Sequence, residues 1–222
     1  MITSNRNNLD HSDILVGGGA LSEVTEVNFL GVKLDNKLKF DGHVKQVTGK
    51  LARVSGILKK LRPCAPANVL KTVYFSLAYP YLSYGIAAWG NCGKVATMKL
   101  EAAQRCLASI VTNSYGVHNR PSIMNFQSIK IYFSSIIMHK ILNGRYHSFL
   151  SGVISNLQVP HDHNTRFKTS GNLVGPKCRT TKSQQSFKNT AIKYWNSIPV
   201  RIRAIENPWK FKRTLKVYLF RG

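Results

Sequence analysis

HVKQVTGKLARVSGILKKL, residues 43–61, decides the fold. Val44, Val47, Leu51, Val54, Leu58 and Leu61 recur in steps of three and four, which mark one face of an α-helix. The other face carries Lys45, Lys50, Arg53, Lys59, Lys60 and Arg62, and Pro63 ends the run. A basic face is ordinarily just a solvated one. Here it is nearly one-signed and lacks the acids at i, i+4 that usually accompany such a run, which favours phosphate contact.

The same pattern extends down the chain. Pro66 suits the first turn of a second helix through Val69, Val73 and Leu77, which Pro80 is expected to kink or break. A third helix is expected from Val95 to Asn113, with Met98, Ala102, Cys106 and Ile110 inward. A fourth runs from Ser128 to Asn143 through Ile129, Phe133, Ile136, Ile137 and Ile141, and stops at Gly144. Residues 157–182 read as loop. Ser183 is a candidate cap for a helix through Phe187, Ala191 and Trp195. Asn207-Pro208 is a cap-plus-first-position start for a last helix ending near Phe220.

Upstream, the period changes. Ile14-Leu-Val, a Gly17-Gly18-Gly19 turn and an alternating stretch from Val24 to Asp35 read as β, one long strand or two short ones. Asp35-Asn36-Lys37 then turns. The expected fold is mainly α, a helical bundle behind a small N-terminal β-hairpin.

Charge narrows the function. The 222 residues hold 32 Lys plus Arg against 9 Asp plus Glu, a net charge of +23, with 43% hydrophobic residues. The hydrophobic fraction is enough for a core, and the charge calls for a polyanionic partner, of which nucleic acid is the commonest. An anionic membrane surface is the rival. Residues 1–41 sum to −2, residues 42–163 to +12 and residues 164–222 to +13, so a near-neutral head precedes a long basic body.

Several chemistries are disfavoured. Two-metal nucleotidyl transfer needs converging carboxylates, yet after residue 42 only Glu101, Asp162 and Glu206 remain, far apart in sequence. The head has no Asp-Asp pair and no DxD spacing. No catalytic residue, metal site or cofactor is therefore expected within this chain. His161-Asp-His163 with Cys178 lacks a fourth zinc ligand, and nothing local pairs a cysteine with a histidine as a nucleophile. No GK[ST] follows Gly17-Gly18-Gly19, so a hairpin turn is the better reading than a phosphate loop.

Cys64, Cys92, Cys106 and Cys178 form no CxxC pair, which fits a reducing compartment. The start, MITSNRNNLD, does not read as a signal peptide, and an intracellular protein is expected. The most apolar stretch, Val69 to Trp89, is interrupted by Lys71 and Pro80, and no membrane span is expected. The tail mixes Arg201, Arg203, Lys210, Lys212, Arg213 and Lys216 with Trp209, Phe211 and Tyr218. Such alternation suits backbone contact with base stacking. At helical spacing, though, these aromatics read first as core.

A series of ordered blocks adds a family resemblance. Phe29-Leu-Gly-Val-Lys-Leu-Asp35, with Leu38-Lys-Phe40 and His43, resembles the FLGV-x-[IL]-D segment just after the palm of non-LTR retrotransposon reverse transcriptases. Gly56-Ile-Leu-Lys-Lys-Leu61, Tyr79-Pro-Tyr-Leu-Ser-Tyr-Gly-Ile-Ala-Ala-Trp-Gly90 and Leu100-Glu-Ala-Ala-Gln-Arg105 follow in order. His163-Asn-Thr-Arg166 and Tyr194-Trp-Asn-Ser-Ile-Pro199 continue the series. Together they resemble the C-terminal third of jockey-like elements over about residues 14–222.

The resemblance implies roles. Phe29, Leu30, Gly31 and Val32 would form the primer grip, at the end of a β element over residues 1–41. Residues 42–117 would be a thumb tracking template–primer duplex, and residues 118–222 a basic C-terminal extension. The partners implied are RNA, DNA or an RNA–DNA hybrid, together with the upstream palm and fingers, and the location implied is nuclear. The intact family enzyme would use Mg2+ on palm aspartates upstream of this chain. A truncated copy or partial gene, inactive alone as a polymerase, is therefore expected. The alternative is a basic helical interaction or membrane-surface protein with no nucleic-acid role.

Overall fold

A computed structural model of the chain describes residues 15–16, 19–20, 24–112, 123–146 and 172–221. The head forms two hairpins. Strands β1 (Leu15–Val16) and β2 (Gly19–Ala20) pair antiparallel, as do β3 (Glu26–Phe29) and β4 (Val32–Asp35). In the second hairpin Phe29 faces Val32 across a two-residue loop, Leu30-Gly31. Both loop residues have positive φ, 46° and 79°, the signature of a turn whose twist matches the strands. Every residue of β3 is exposed, while Val32 of β4 is buried against the helices.

A tight corner follows β4. The Asp35 carboxylate accepts the backbone N–H groups of Lys37 (3.0 Å), Lys39 (3.0 Å) and Phe40 (2.6 Å). Leu38 and Phe40 sit at positive φ, 51° and 61°, a conformation that costs a side chain energy. Asp35 holds that corner closed and so sets where the first helix starts.

Helix α1 (Asp41–Leu61) buries His43, Val44, Val47, Leu51, Val54 and Leu58, the expected face with the histidine added and Leu61 only half-buried at its end. Lys59 and Lys60 lie in its last turn, where the helix dipole favours cations. Next come α2 (Ala67–Val73), a π-turn (Tyr74–Ala78) and α3 (Tyr79–Ser83) as one helical run. Pro80 therefore does not break the helix. It has no N–H to give the preceding turn, and the backbone widens there: the N–H of Tyr79 reaches the carbonyl of Tyr74, five residues back. The buried face is Leu70, Tyr74, Ala78 and Leu82, one position on from the expected stripe; Val69 and Leu77 are exposed.

Gly85, at φ 62°, begins the short α4 (Ile86–Trp89). Helix α5 (Lys94–Thr112) buries Ala96, Leu100, Gln104, Leu107, Ile110 and Val111. Of the four residues expected inward only Ile110 is buried; Met98, Ala102 and Cys106 are exposed.

Helix α6 (Phe126–Leu142) is the central element. The Asn125 side chain caps it on the N–H of Ser128 (2.7 Å), three residues before the expected start. At its end the N–H of Gly144 (φ 64°) bonds to Ile141 and that of Arg145 to Lys140, a Schellman stop at the expected glycine. Its buried residues point in every direction, as for a helix enclosed on all sides. Phe126 and Ile129 complete one core with α1, α2 to α5 and Val32. Met138 and Ile141 complete a second with the last helices.

Those helices are α7 (Thr181–Gln185), α8 (Phe187–Ser197), α9 (Val200–Arg203) and α10 (Pro208–Arg221). Thr180 caps α7, and α8 restarts after Ser186, so Ser183 lies inside the shorter helix instead of capping the longer one. The Asn207 side chain accepts from the N–H groups of Trp209 and Lys210, the expected start of α10. The fold is thus mainly α, with small antiparallel hairpins at the N-terminal end.

Candidate nucleic-acid interface

The motif residues divide into those that build the scaffold and those left on its surface. Trp89 is fully buried and its indole N–H donates to the carbonyl of Tyr84 (2.7 Å). Its ring meets His43 of α1 edge-on at 4.9 Å and Phe126 of α6 at 6.0 Å. Trp195 is buried beside His139 and Phe211. Asn196 clamps the backbone of Leu173 by accepting its N–H (3.0 Å) and donating to its carbonyl (2.8 Å). The His163–Arg166 block lies outside the described residues, as do His161 and Asp162.

The hairpin tip is presented outward. Phe29 and Leu30 are 61% and 73% exposed, whereas Val32 is buried below them. The Tyr84 hydroxyl donates to the Leu30 carbonyl (2.7 Å), and a Cβ on Gly31 would meet the same ring at 3.6 Å. The four FLGV residues therefore form a projecting turn, braced from α3, whose apolar side chains meet solvent. Glu26 pairs with Lys33 across the strands.

Helix α1 carries the first set of cations. Lys45, Arg53, Lys59 and Lys60 are exposed on its outer face. Lys50 is half-buried at the flank with its ammonium 4.8 Å from the Tyr81 ring, a cation–π contact. Arg62 is half-buried at the C-cap, past the last full turn. His43 faces inward beneath this helix. Burial lowers its pKa, with a smaller push from Lys50, and its Nδ1 accepts the Lys33 N–H (3.3 Å). A neutral imidazole thus joins β4 to α1.

The second set sits over the other core. Arg201, Lys210, Arg213 and Lys216 are exposed, and Lys212 is half-buried. Arg203 is half-buried and its guanidinium donates to the Asn172 side chain (2.9 Å). The aromatics split: Phe211 is buried, stacked on His139 at 4.1 Å, but Trp209 is 79% exposed. Trp209 is not the core residue its spacing suggested.

Some features gave no signal in the sequence. Lys130 is 7% exposed on α6, its ammonium 5.3 Å from the Phe126 ring, and burial lowers its pKa against the opposing pull of Cys92 and Glu101. Cys178 is engaged by the side chains of Ser183 (3.0 Å) and Asn189 (2.9 Å). Among the described residues, no three His, Cys, Asp or Glu side chains gather as a metal site would require. Among the same residues, no helix is long and apolar enough to cross a membrane.

Over 105 residues the chain is 30% identical to the retrovirus-related Pol polyprotein from type-1 retrotransposable element R1 4 of Nasonia vitripennis. The match takes in 46% of this chain and 27% of that protein. It supports an origin related to non-LTR retrotransposons. No family model and no solved structure matches.

Proposed function

We propose that this chain is the nucleic-acid-holding part of a jockey-like non-LTR reverse transcriptase. In this reading the Phe29–Val32 turn takes the primer-grip position. Residues 42–117 act as the thumb on a template–primer duplex, and residues 118–222 as a basic C-terminal extension.

The observation that carries the reading is the outer face of α1. Lys45, Arg53, Lys59 and Lys60 stand exposed on a helix whose opposite face is locked into the larger core. A rigid helix presents cations at fixed spacing, so little ordering cost attends their contact with a phosphate track. Contacts of that kind are sequence-independent and release counterions.

Two of the chain's acids have structural duties. Asp35 closes the corner before α1 and Glu26 pairs with Lys33. The proposed contribution is therefore positioning of a duplex end beside the projecting Phe29 and Leu30, with phosphoryl transfer left to carboxylates of a palm outside this sequence. Alone, the chain is expected to extend no primer.

The test is a titration of the full chain with an RNA–DNA hybrid at two salt concentrations, in parallel with anionic vesicles. The reading expects hybrid binding that weakens steeply with salt, by about one log–log unit per phosphate neutralised. Vesicle binding at least as tight as hybrid binding would favour a membrane-surface protein.

A further inference from the structure

We infer that α10 is a second, distinct contact surface, built to stack an unpaired base on Trp209 and to hold the flanking phosphates with Lys212, Arg213 and Lys216. The inference rests on the nucleic-acid reading above and adds the form of the ligand: single-stranded for this helix, duplex for α1.

The geometry begins with the helix period. Trp209, Lys212, Arg213 and Lys216 stand at i, i+3, i+4 and i+7, which places them on one face. That face is about 10 Å long at 1.5 Å per residue. The opposite face is occupied: Phe211 and Leu215 are buried in the second core and Tyr218 is half-buried. The helix is therefore held in place, and its outer face has a fixed direction.

Trp209 is the anomaly on that face. The other two tryptophans, Trp89 and Trp195, are 0% and 5% exposed, while Trp209 is 79% exposed. An indole left in water gives up the burial that ordinarily justifies so large an apolar side chain. The Lys212 ammonium lies 5.1 Å from its ring, so the platform already sits against a cation. No acid occurs between Asn207 and Gly222. Aromatic stacking flanked by one-signed charge is how proteins hold single strands without reading sequence, since every base offers a π-face. A duplex keeps its bases stacked inside and offers this indole little. A membrane is the poorer occupant too, because an interfacial helix inserts a broad apolar face, and here that face is already in the core.

The experiment uses the intrinsic fluorescence of the full chain, in which Trp209 is the tryptophan open to ligand. A short oligouridylate is expected to quench the emission, and inorganic polyphosphate, which has no bases, to leave it unchanged. Trp209→Ala should weaken oligouridylate binding about tenfold while hybrid binding stays as in the wild type, and Trp209→Tyr should restore most of the loss. Because Trp209 is exposed, circular dichroism of these variants should match the wild type. Equal oligouridylate affinity for wild type and Trp209→Ala would overturn the inference and leave the duplex reading standing. A blue shift with phosphatidylserine vesicles and no response to oligouridylate would overturn it in favour of a membrane. Failure of both oligouridylate and hybrid to bind would remove the nucleic-acid reading itself, and this inference with it.

Discussion

The hydroxyl of Tyr84 donates to the carbonyl oxygen of Leu30 at 2.7 Å, tying the tip of the β3–β4 hairpin to the end of α3 across 54 positions of sequence. An isolated two-stranded hairpin is marginal in water, so this bond, buried Val32 and the bond from the Lys33 N–H to His43 hold the hairpin against the helices. Tyr84→Phe keeps the ring and removes the bond. We expect a loss of at most about 1 kcal/mol in global stability, with faster amide exchange confined to β3 and β4. Exchange unchanged in the hairpin would mean that Tyr84 does not brace it.

The corner at Asp35 is a stricter test. Its carboxylate accepts three backbone N–H groups beside two residues at positive φ. Burial alone would raise its pKa, but the bonds from Lys39, Phe40 and Lys37 outweigh that and hold it below the usual carboxylate value. Asp35→Ala should cost about 2 kcal/mol in urea unfolding, more than removal of any single acceptor on the surface.

The face of α5 separates structure from periodicity. Leu100 is fully buried and Met98 is 58% exposed. Leu100→Ala should lose about 2–5 kcal/mol by opening a cavity, whereas Met98→Ala should lose under about 0.5 kcal/mol. Thermal melts of the two variants check the order, and its reversal would restore the stripe through Met98, Ala102 and Cys106.

These cases show what was legible in the sequence. For α1, Val44, Val47, Leu51, Val54 and Leu58 recur at helical steps and are the buried ones, while the cations lie off that stripe, so the buried face could be read directly, with Ile57 left exposed outside it. The Gly144 stop and the Asn207 cap could be read because their chemistry is local. On α5, the stripes through Met98 and through Leu100 are nearly equivalent in period, and only packing against α1 decides between them. Helix α6 has no single apolar face because it serves two cores. The site behaves alike: charge located the basic helices, but the Lys50 contact with Tyr81 and the Arg203 contact with Asn172 depend on partners distant in sequence.

His43 predicts a pH dependence. Burial, aided by Lys50, lowers its pKa in the folded chain below the ordinary value near 6.5. The folded state therefore refuses a proton that the unfolded chain accepts. Its contribution to stability is full above pH of about 6.5 and is lost as the pH falls through the lower, folded value. Acidification from pH 7 to 5 should depress the melting temperature of the wild type more than that of His43→Gln. Parallel declines would mean that His43 takes up its proton equally in both states.

In the proposed function, the outer face of α1 holds nucleic acid through its cations. The direct measurement is the salt dependence of RNA–DNA hybrid binding by the wild type and by a variant with Lys45, Lys50, Arg53 and Lys59 all changed to Gln. These positions lie off the buried stripe, so α1 should persist, as circular dichroism would verify. The variant is predicted to bind more weakly on every sequence tested, with a log–log salt slope shallower by up to about one unit per cation removed. Wild-type affinity and an unchanged slope in the variant would contradict the assignment of this helix.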